Sequence, residues 1–287
     1  MAQSRKIIKE RIKSIRNTRK ITKAMELVAA SKMRRAVAAV AKTRPYAKEA
    51  WATIAALLSS SPEVEHALLR PKPGATKTLL VLMTSDRGLA GGFNVNIIRA
   101  VLKDLRTTGF KDIEVIALGK RGADAVERAG AKVIARFPSL TNNPTFQDLV
   151  PAARAVLEHF LNGQSRNVKL AFTDFVSGIS QIPRITDLLP LSPPADQQHS
   201  PSGEFTFEPS PSDVLNRVLP AITETMLYQA LLETAASEHA ARMIAMKNAS
   251  DAARDMLDAL TFTYNQARQA SITQEIAEIS SGKAALE

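Results

Sequence analysis

Five positive side chains, Lys9, Lys13, Arg16, Lys20 and Lys23, recur at steps of four, three, four and three near the start of the chain. On an α-helix that spacing lines them along one face. Neighbouring like charges cost roughly 0.2–0.5 kcal/mol per pair in an isolated helix, and a solvated face ordinarily mixes signs to avoid it. The track therefore reads as a contact surface for something acidic, with a plain solvated face as the alternative. Residues 1–60 hold 15 Lys and Arg against 3 Asp and Glu, a net +12 in a chain of +10 overall. Basicity confined to one segment argues for one acidic contact rather than general polyanion affinity.

A second candidate is the turn Asp86-Arg87-Gly88-Leu89-Ala90-Gly91-Gly92. It follows a buried apolar run and precedes a helical pattern, where a phosphate-binding loop would sit. Its spacing matches neither GxGxxG nor GxxxxGK[ST], and no acidic residue ends a second strand where a ribose would need it. A tight strand-to-helix turn is the favoured reading, with a nucleotide site or a subunit-contact loop as the alternatives. Late in the chain, Arg268 and Gln269 stand between the small residues Ala267 and Ala270. Such a pair faces either solvent or a hydrogen-bonding partner. The histidines His66, His159, His199 and His239 have no metal-ligand spacing and read as surface or structural residues. With no cysteine, disulfides and thiolate chemistry are excluded. No Ser-His-Asp arrangement or carboxylate pair stands out, so the residues give no reason to assign catalysis, a cofactor or a metal to this chain.

These groups are positioned by two long helices. From Arg5 to Ser61 there is no glycine and one proline, Pro45; from Glu204 to Ser281 there is again no glycine, and no proline beyond Pro220. Fifty to seventy helical residues would extend roughly 80 to 100 Å, more than a compact domain needs. In the first helix Ile8, Ile12 and Ile15 form one apolar group, and Ile21, Met25 and Val28 form another about 140° around. That predicts two partners, or else an imperfect coiled-coil seam. In the second helix the predicted contact face is Leu227, Leu231, Thr234, Ala241, Ala245, Asn248, Ala252, Met256, Leu260, Thr263, Ala267 and Ala270. Ile272, Ile276 and Ile279 then point to the opposite side, and Gly282 reads as the stop.

Between the helices, apolar runs at Thr78–Met83, Ile113–Leu118, Lys132–Ala135 and Val168–Phe175 alternate with helical patterns at Asn94–Leu105, Arg121–Ala129 and Phe146–Leu161. This predicts a mainly parallel, Rossmann-like sheet covered on both faces. Ile179–Leu188 reads as an edge strand because Pro183 cannot donate to a central ladder. The expected fold class is α/β: a long antiparallel coiled coil of terminal helices plus a central α/β domain. The expected domains are a coiled-coil helix over 1–61, the α/β domain over 62–190, a Pro- and Ser-rich linker over 191–211, and a second coiled-coil helix over 212–287. The basic first twenty residues look like a transit peptide, but the helical pattern runs through them, so they read as mature bacterial protein.

The runs IKSIRNTRKITKAMELVAASKMRRA, TSDRGLAGGFNVN, ASEHAARMIAMKNAS and YNQARQASITQEIAEISSG, in that order along essentially the whole chain, resemble the gamma subunit of the F-type ATP synthase. The resemblance implies a central-stalk rotor without catalysis of its own, coupling proton-driven c-ring rotation to conformational change in catalytic beta subunits. It implies the alpha, beta, epsilon and c subunits as partners, and a peripheral place on the cytoplasmic side of a bacterial inner membrane. By position, Arg268 and Gln269 resemble the pair that engages a beta-subunit loop, Met25 the residue near the moving acidic lever of beta, and Glu208 a foot residue near the c-ring. The cysteine insert of chloroplast relatives is absent. Two other classes stay open on the residues alone. One is a basic nucleic-acid-binding protein, disfavoured because no aromatics interleave the charges. The other is a nucleotide-dependent α/β enzyme.

Overall fold

The computed structural model describes residues 2–60, 66–192, 208 and 210–284, with backbone alone at 2–4, 47–48, 50–60, 211 and 282–284. The linker expected over 191–211 and His199 therefore lie mostly or wholly outside the described residues. Helix α1 spans Ala2–Ser60 and α5 spans Pro211–Ala284. At the start of α5 the Ser210 hydroxyl accepts from the Asp213 backbone N–H at 3.2 Å and donates to its carboxylate at 2.6 Å. Ser-Pro-Ser-Asp thus combines a capping side chain with proline at the first helical position, where no donor is lost. The stop expected at Gly282 is not observed: the helix continues to Ala284. A lone glycine costs about 1 kcal/mol against alanine and does not by itself end a helix.

The intervening elements are β1 (Thr78–Met83), α2 (Phe93–Thr108), β2 (Ile113–Leu118), α3 (Lys120–Arg128), β3 (Lys132–Phe137), α4 (Phe146–Leu161), β4 (Asn167–Phe175) and β5 (Gln181–Leu189). They form one sheet in the order β3-β2-β1-β4-β5. Every pairing is parallel except β4 with β5, and Pro183 sits opposite Thr173 on that outer strand. All twelve residues of β1 and β2 are buried, as central strands covered on both faces must be.

The chain forms two compact units, Ala30–Arg242 and Met1–Ala29 with Met243–Glu287. In the larger unit, α2 and α3 cover one face of the sheet through Ile97, Val101, Leu105, Ala123 and Val126. On the other face α4 packs beside the first turns of α5, whose Leu215, Leu219, Ile222, Leu227 and Leu231 belong to the same core as Leu79, Val81 and Met83. Beyond the end of β1, α5 also replaces a strand. Ser237 donates to the Thr173 carbonyl at 3.2 Å, and the Thr173 N–H lies 3.4 Å from Thr234 Oγ1. Ala36 and Val40 of α1 close on Leu232 and Ala236 of α5 within this unit.

In the smaller unit the two helices run antiparallel, with Arg5 Nη2 at 4.0 Å from Glu275 Oε1. The buried or half-buried positions of α5 there include Met246, Ser250, Ala253, Leu257, Leu260, Tyr264, Ala267 and Ser271. Their steps of four and three are a coiled-coil seam. On α1 the corresponding positions are Arg5, Ile8, Ile12, Ile15, Thr22, Glu26 and Ala29. This corrects the expected face of α5. Asn248, Ala252, Thr263 and Ala270 are exposed and Met256 is 57% exposed, while neighbours one or two places away face the partner. The seam is rich in Ala and Ser, so apolarity alone does not phase it. Leu257→Ala is expected to cost about 1–3 kcal/mol, whereas Met256→Ala should stay within about 0.5 kcal/mol. Thermal unfolding of the two purified variants checks this; equal losses would show that the seam runs elsewhere.

Candidate partner-contact surface

In the smaller unit, Lys9, Lys13, Arg16, Lys20 and Lys23 are all exposed on α1. Lys23 pairs with Glu26 one turn on, at 2.9 Å. Arg16, Arg19, Lys20 and Lys23 line a groove whose other wall is Leu257, Asp258 and Thr261 of α5, with Ala24 and Leu27 in its lining. A stripe of cations beside an apolar rim suits an acidic, partly apolar segment. Of the second apolar group on α1, Ile21 and Val28 are 60% and 56% exposed and Met25 is half-buried. The seam bypasses them through Thr22, Glu26 and Ala29, leaving Ile21, Leu27 and Val28 as an apolar surface on the coil.

Arg268 and Gln269 are both exposed, directly after half-buried Ala267. Over the following turns, Ile272, Ile276 and Ile279 are exposed at 46%, 59% and 74%. Every residue from 272 to 281 is exposed, because the buried seam ends at Ser271. Glu208 is exposed in a bend, and its neighbours Phe207 and Pro209 in the FEPSP motif lie outside the described residues. The structure thus brings the basic track and Met25 onto one stretch of coil and places Arg268, Gln269 and the three isoleucines along the final turns of α5.

The glycine-rich turn is closed on itself. Asp86 accepts from the Lys120 N–H at 2.9 Å and from the Ser139 N–H at 2.8 Å, so its carboxylate already occupies the N-terminus of α3. Ser85 donates to the Arg87 carbonyl at 2.7 Å and exchanges hydrogen bonds with the Asn94 side chain. Arg242 of α5 donates to the Gly88 carbonyl at 3.2 Å and to Glu238 at 2.7 Å. The N-terminal dipole of α3 is thereby met by a carboxylate of the chain itself. Among the described residues no group of three or more His, Asp or Glu could hold a metal ion.

One polar cluster was invisible in the sequence. Glu114, 6% exposed, accepts from Lys77 and Lys132 at 2.9 Å each through Oε1 and contacts His159 Nε2 at 3.0 Å through Oε2. His159 is itself buried and meets Ser165 at 3.2 Å, which makes it a structural histidine. Burial alone would raise the Glu114 pKa, but hydrogen bonds from Lys132, Lys77 and His159 outweigh it and hold the carboxyl at about 2. A depressed folded pKa contributes stability above the unfolded value near 4.5 that is lost as pH falls toward about 2. Glu114→Gln should therefore cost about 1–3 kcal/mol at neutral pH and flatten acid unfolding between those limits. Urea titrations at a series of pH values check this, and an unchanged acid limb would remove Glu114 from the account.

The comparisons with known proteins agree along the whole chain. A family model described as ATP synthase matches residues 4–286. The chain is 43% identical to the ATP synthase gamma chain of Herpetosiphon aurantiacus, over 100% of this chain and 99% of that one. It is 40% identical to the ATP synthase gamma chain of Symbiobacterium thermophilum, over the full length of both. Among solved structures, the central stalk and c-ring of Tetrahymena thermophila mitochondrial ATP synthase aligns with 80% of this chain and 99% of the matched chain, at 27% identity and a TM-score of 0.58. The rotor of the Euglena gracilis enzyme covers 95% of this chain and 100% of its own, at a TM-score of 0.64 and 17% identity, a likeness of fold.

Proposed function

This chain belongs to the ATP synthase gamma-chain family, and on that premise we propose how its surfaces do a central-stalk rotor's work in an F-type ATP synthase. Its partners are the alpha and beta subunits of the catalytic ring, the epsilon subunit and the c-ring. ATP chemistry takes place on the beta subunits, and this subunit biases it. A beta subunit changes nucleotide affinity only if its conformations contact the rotor differently, so the rotor must present unlike faces in turn. The coil does so. One stretch carries Lys9, Lys13, Arg16, Lys20 and Lys23 with Met25 beside the acidic lever of beta. The final turns carry the Arg268–Gln269 pair for a beta loop and the apolar row Ile272, Ile276 and Ile279 for the inner surface of the ring.

The observation that carries this reading is that row of isoleucines, exposed along the last turns of α5 beyond the end of the buried seam at Ser271. Three large apolar side chains on one line of a helix are sheathed by another surface in the working protein. Residues 1–61 and 212–287 serve as the torque-bearing pair, with 62–190 as the side domain joined through 191–211. Glu208 then lies toward the c-ring. No described helix is long and apolar enough to cross a membrane, and the proposed location is peripheral, on the cytoplasmic side of a bacterial inner membrane.

Affinity capture of this chain from native membranes tests the proposal. Alpha, beta, epsilon and c subunits are expected together. Recovery without beta and c subunits, at normal expression, would overturn it.

A further inference from the structure

Within the Ala30–Arg242 unit, three stretches far apart in sequence cross at His66, in the connection between α1 and β1. The turn over 66–69 closes with the Leu69 N–H on the His66 carbonyl at 3.0 Å, and the Leu68 N–H donates to His66 Nδ1 at 3.1 Å. The other ring nitrogen, Nε2, lies 3.1 Å from Asn216 Oδ1, on the second turn of α5. The Leu68 carbonyl accepts from the Leu191 N–H at 2.8 Å, just past the end of β5. Leu68 is fully buried and shares its core with Leu191, Leu215 and Leu219, while His66 beside it is half-buried. One imidazole thereby ties the segment leading into the sheet to the start of the helix that follows it.

These contacts fix the protonation state of the ring. A backbone N–H can only donate, so Nδ1 must offer its lone pair, and the single ring proton belongs on Nε2, where the Asn216 carbonyl oxygen accepts it. A second proton can only go to Nδ1. There it would meet the Leu68 N–H donor to donor and end that bond, leaving a buried backbone donor unpaired. Of the charged groups around the ring, Arg70 and Lys72 on the same connection are cations, and Lys72 disfavours the charged imidazole. On α5, Arg217 follows Asn216, and Asp213 one turn earlier is engaged by the Ser210 hydroxyl at 2.6 Å. β5 ends in the buried, uncharged Leu188 and Leu189. Glu65, which precedes His66 in the sequence, lies outside the described residues.

We propose that His66 is a proton-operated latch: neutral, it fastens the 66–69 turn to α5, and protonation at Nδ1 releases the turn. The electrostatics agree in direction. Burial, the largest influence, lowers the His66 pKa from 6.5; the hydrogen bond to Asn216 raises it, the charge of Lys72 lowers it again, and the balance stays below 6.5. A folded pKa below the unfolded one contributes stability fully present above 6.5 and lost as pH falls through the lowered value. Mild acid therefore loosens this turn.

Nuclear magnetic resonance of the purified full-length chain tests the proposal, since the chain has only four histidines and His66→Asn identifies the ring signals of His66. The 15N shifts should show the proton on Nε2 at neutral pH and a midpoint below 6.5. Protection of the Leu68 and Leu191 amides against hydrogen exchange should fall on acidification, by up to about tenfold for each pH unit that the midpoint lies below the unfolded value. An asparagine side chain can accept from the N–H two residues on and takes up no proton, so His66→Asn should keep that protection through the same range. Asn216→Ala, losing the bond that favours the charged ring, should lower the midpoint further. A proton on Nδ1 at neutral pH, or a midpoint at or above 6.5, would overturn the proposal in the wild type alone, whether or not the variants fold. So would Leu68 protection that falls equally in the wild type and in His66→Asn.

Discussion

Gly119→Ala is expected to unfold the protein or leave it barely folded. Gly119 joins β2 to α3 with φ of +105°, and a Cβ there would stand 2.0 Å from the Thr84 carbonyl oxygen and 2.7 Å from its carbon. Neither side can retreat. Thr84 N–H is bonded to the Leu118 carbonyl at 2.8 Å and Gly119 N–H to the Phe137 carbonyl at 3.1 Å, so β1, β2 and β3 are tied at the same point. Backbone strain and a clash against main chain together should cost about 4 kcal/mol or more, a large share of a total stability of about 5–15 kcal/mol. Gly130→Ala is the matched control, with φ of +95° and nothing within 4 Å of the added carbon, and should lose only about 1–2 kcal/mol. Urea midpoints of the two variants decide it: similar losses would show that the crowding at Thr84 is relieved by a small backbone shift.

Arg268→Ala and Gln269→Ala should each lower steady-state ATP turnover of the assembled complex by about tenfold. A hydrogen bond to a charged group contributes about 1.5–3 kcal/mol, and one formed in only some rotary states biases their populations by that amount, with about 1.4 kcal/mol to each factor of ten. Both side chains are exposed on α5, so the isolated chain should keep its stability within about 0.5 kcal/mol. The measurement is turnover beside a quantified assembly yield. Full turnover at normal assembly in both variants would leave these residues facing solvent. Turnover lost only in proportion to assembly would make them docking residues rather than part of the coupling.

Where local chemistry is unambiguous, the elements could be read directly. Thr78–Met83, Ile113–Leu118 and Phe146–Leu161 have the same bounds in the sequence reading and in the fold. The two short, mainly apolar runs between turns suit strands buried on both faces, the sixteen-residue Phe146–Leu161 segment is long enough to read as a helix, and Pro183 alone placed its strand at the outer position. The seam of α5 did not follow. Over Met246–Ser271 the contact positions include Ser250, Ala253, Ala267 and Ser271, side chains that also suit a solvent face, so composition could not distinguish adjacent phases.

The lengths of the two helices, the strand alternation, the concentration of positive charge on α1 and the family itself were determined by the sequence, since each is a property of residues near one another along the chain. Tertiary structure alone decided which partners the polar groups found. Glu114 and His159 are 45 positions apart and meet only because β2 and α4 pack side by side; Arg44 and Glu233 are 189 apart and meet where α1 crosses the sheet unit beside α5. A carboxylate in water looks the same wherever it stands in a sequence. Its proton affinity is set by how much water folding removes and which donors replace it, and those donors arrive from elements that no local spacing connects.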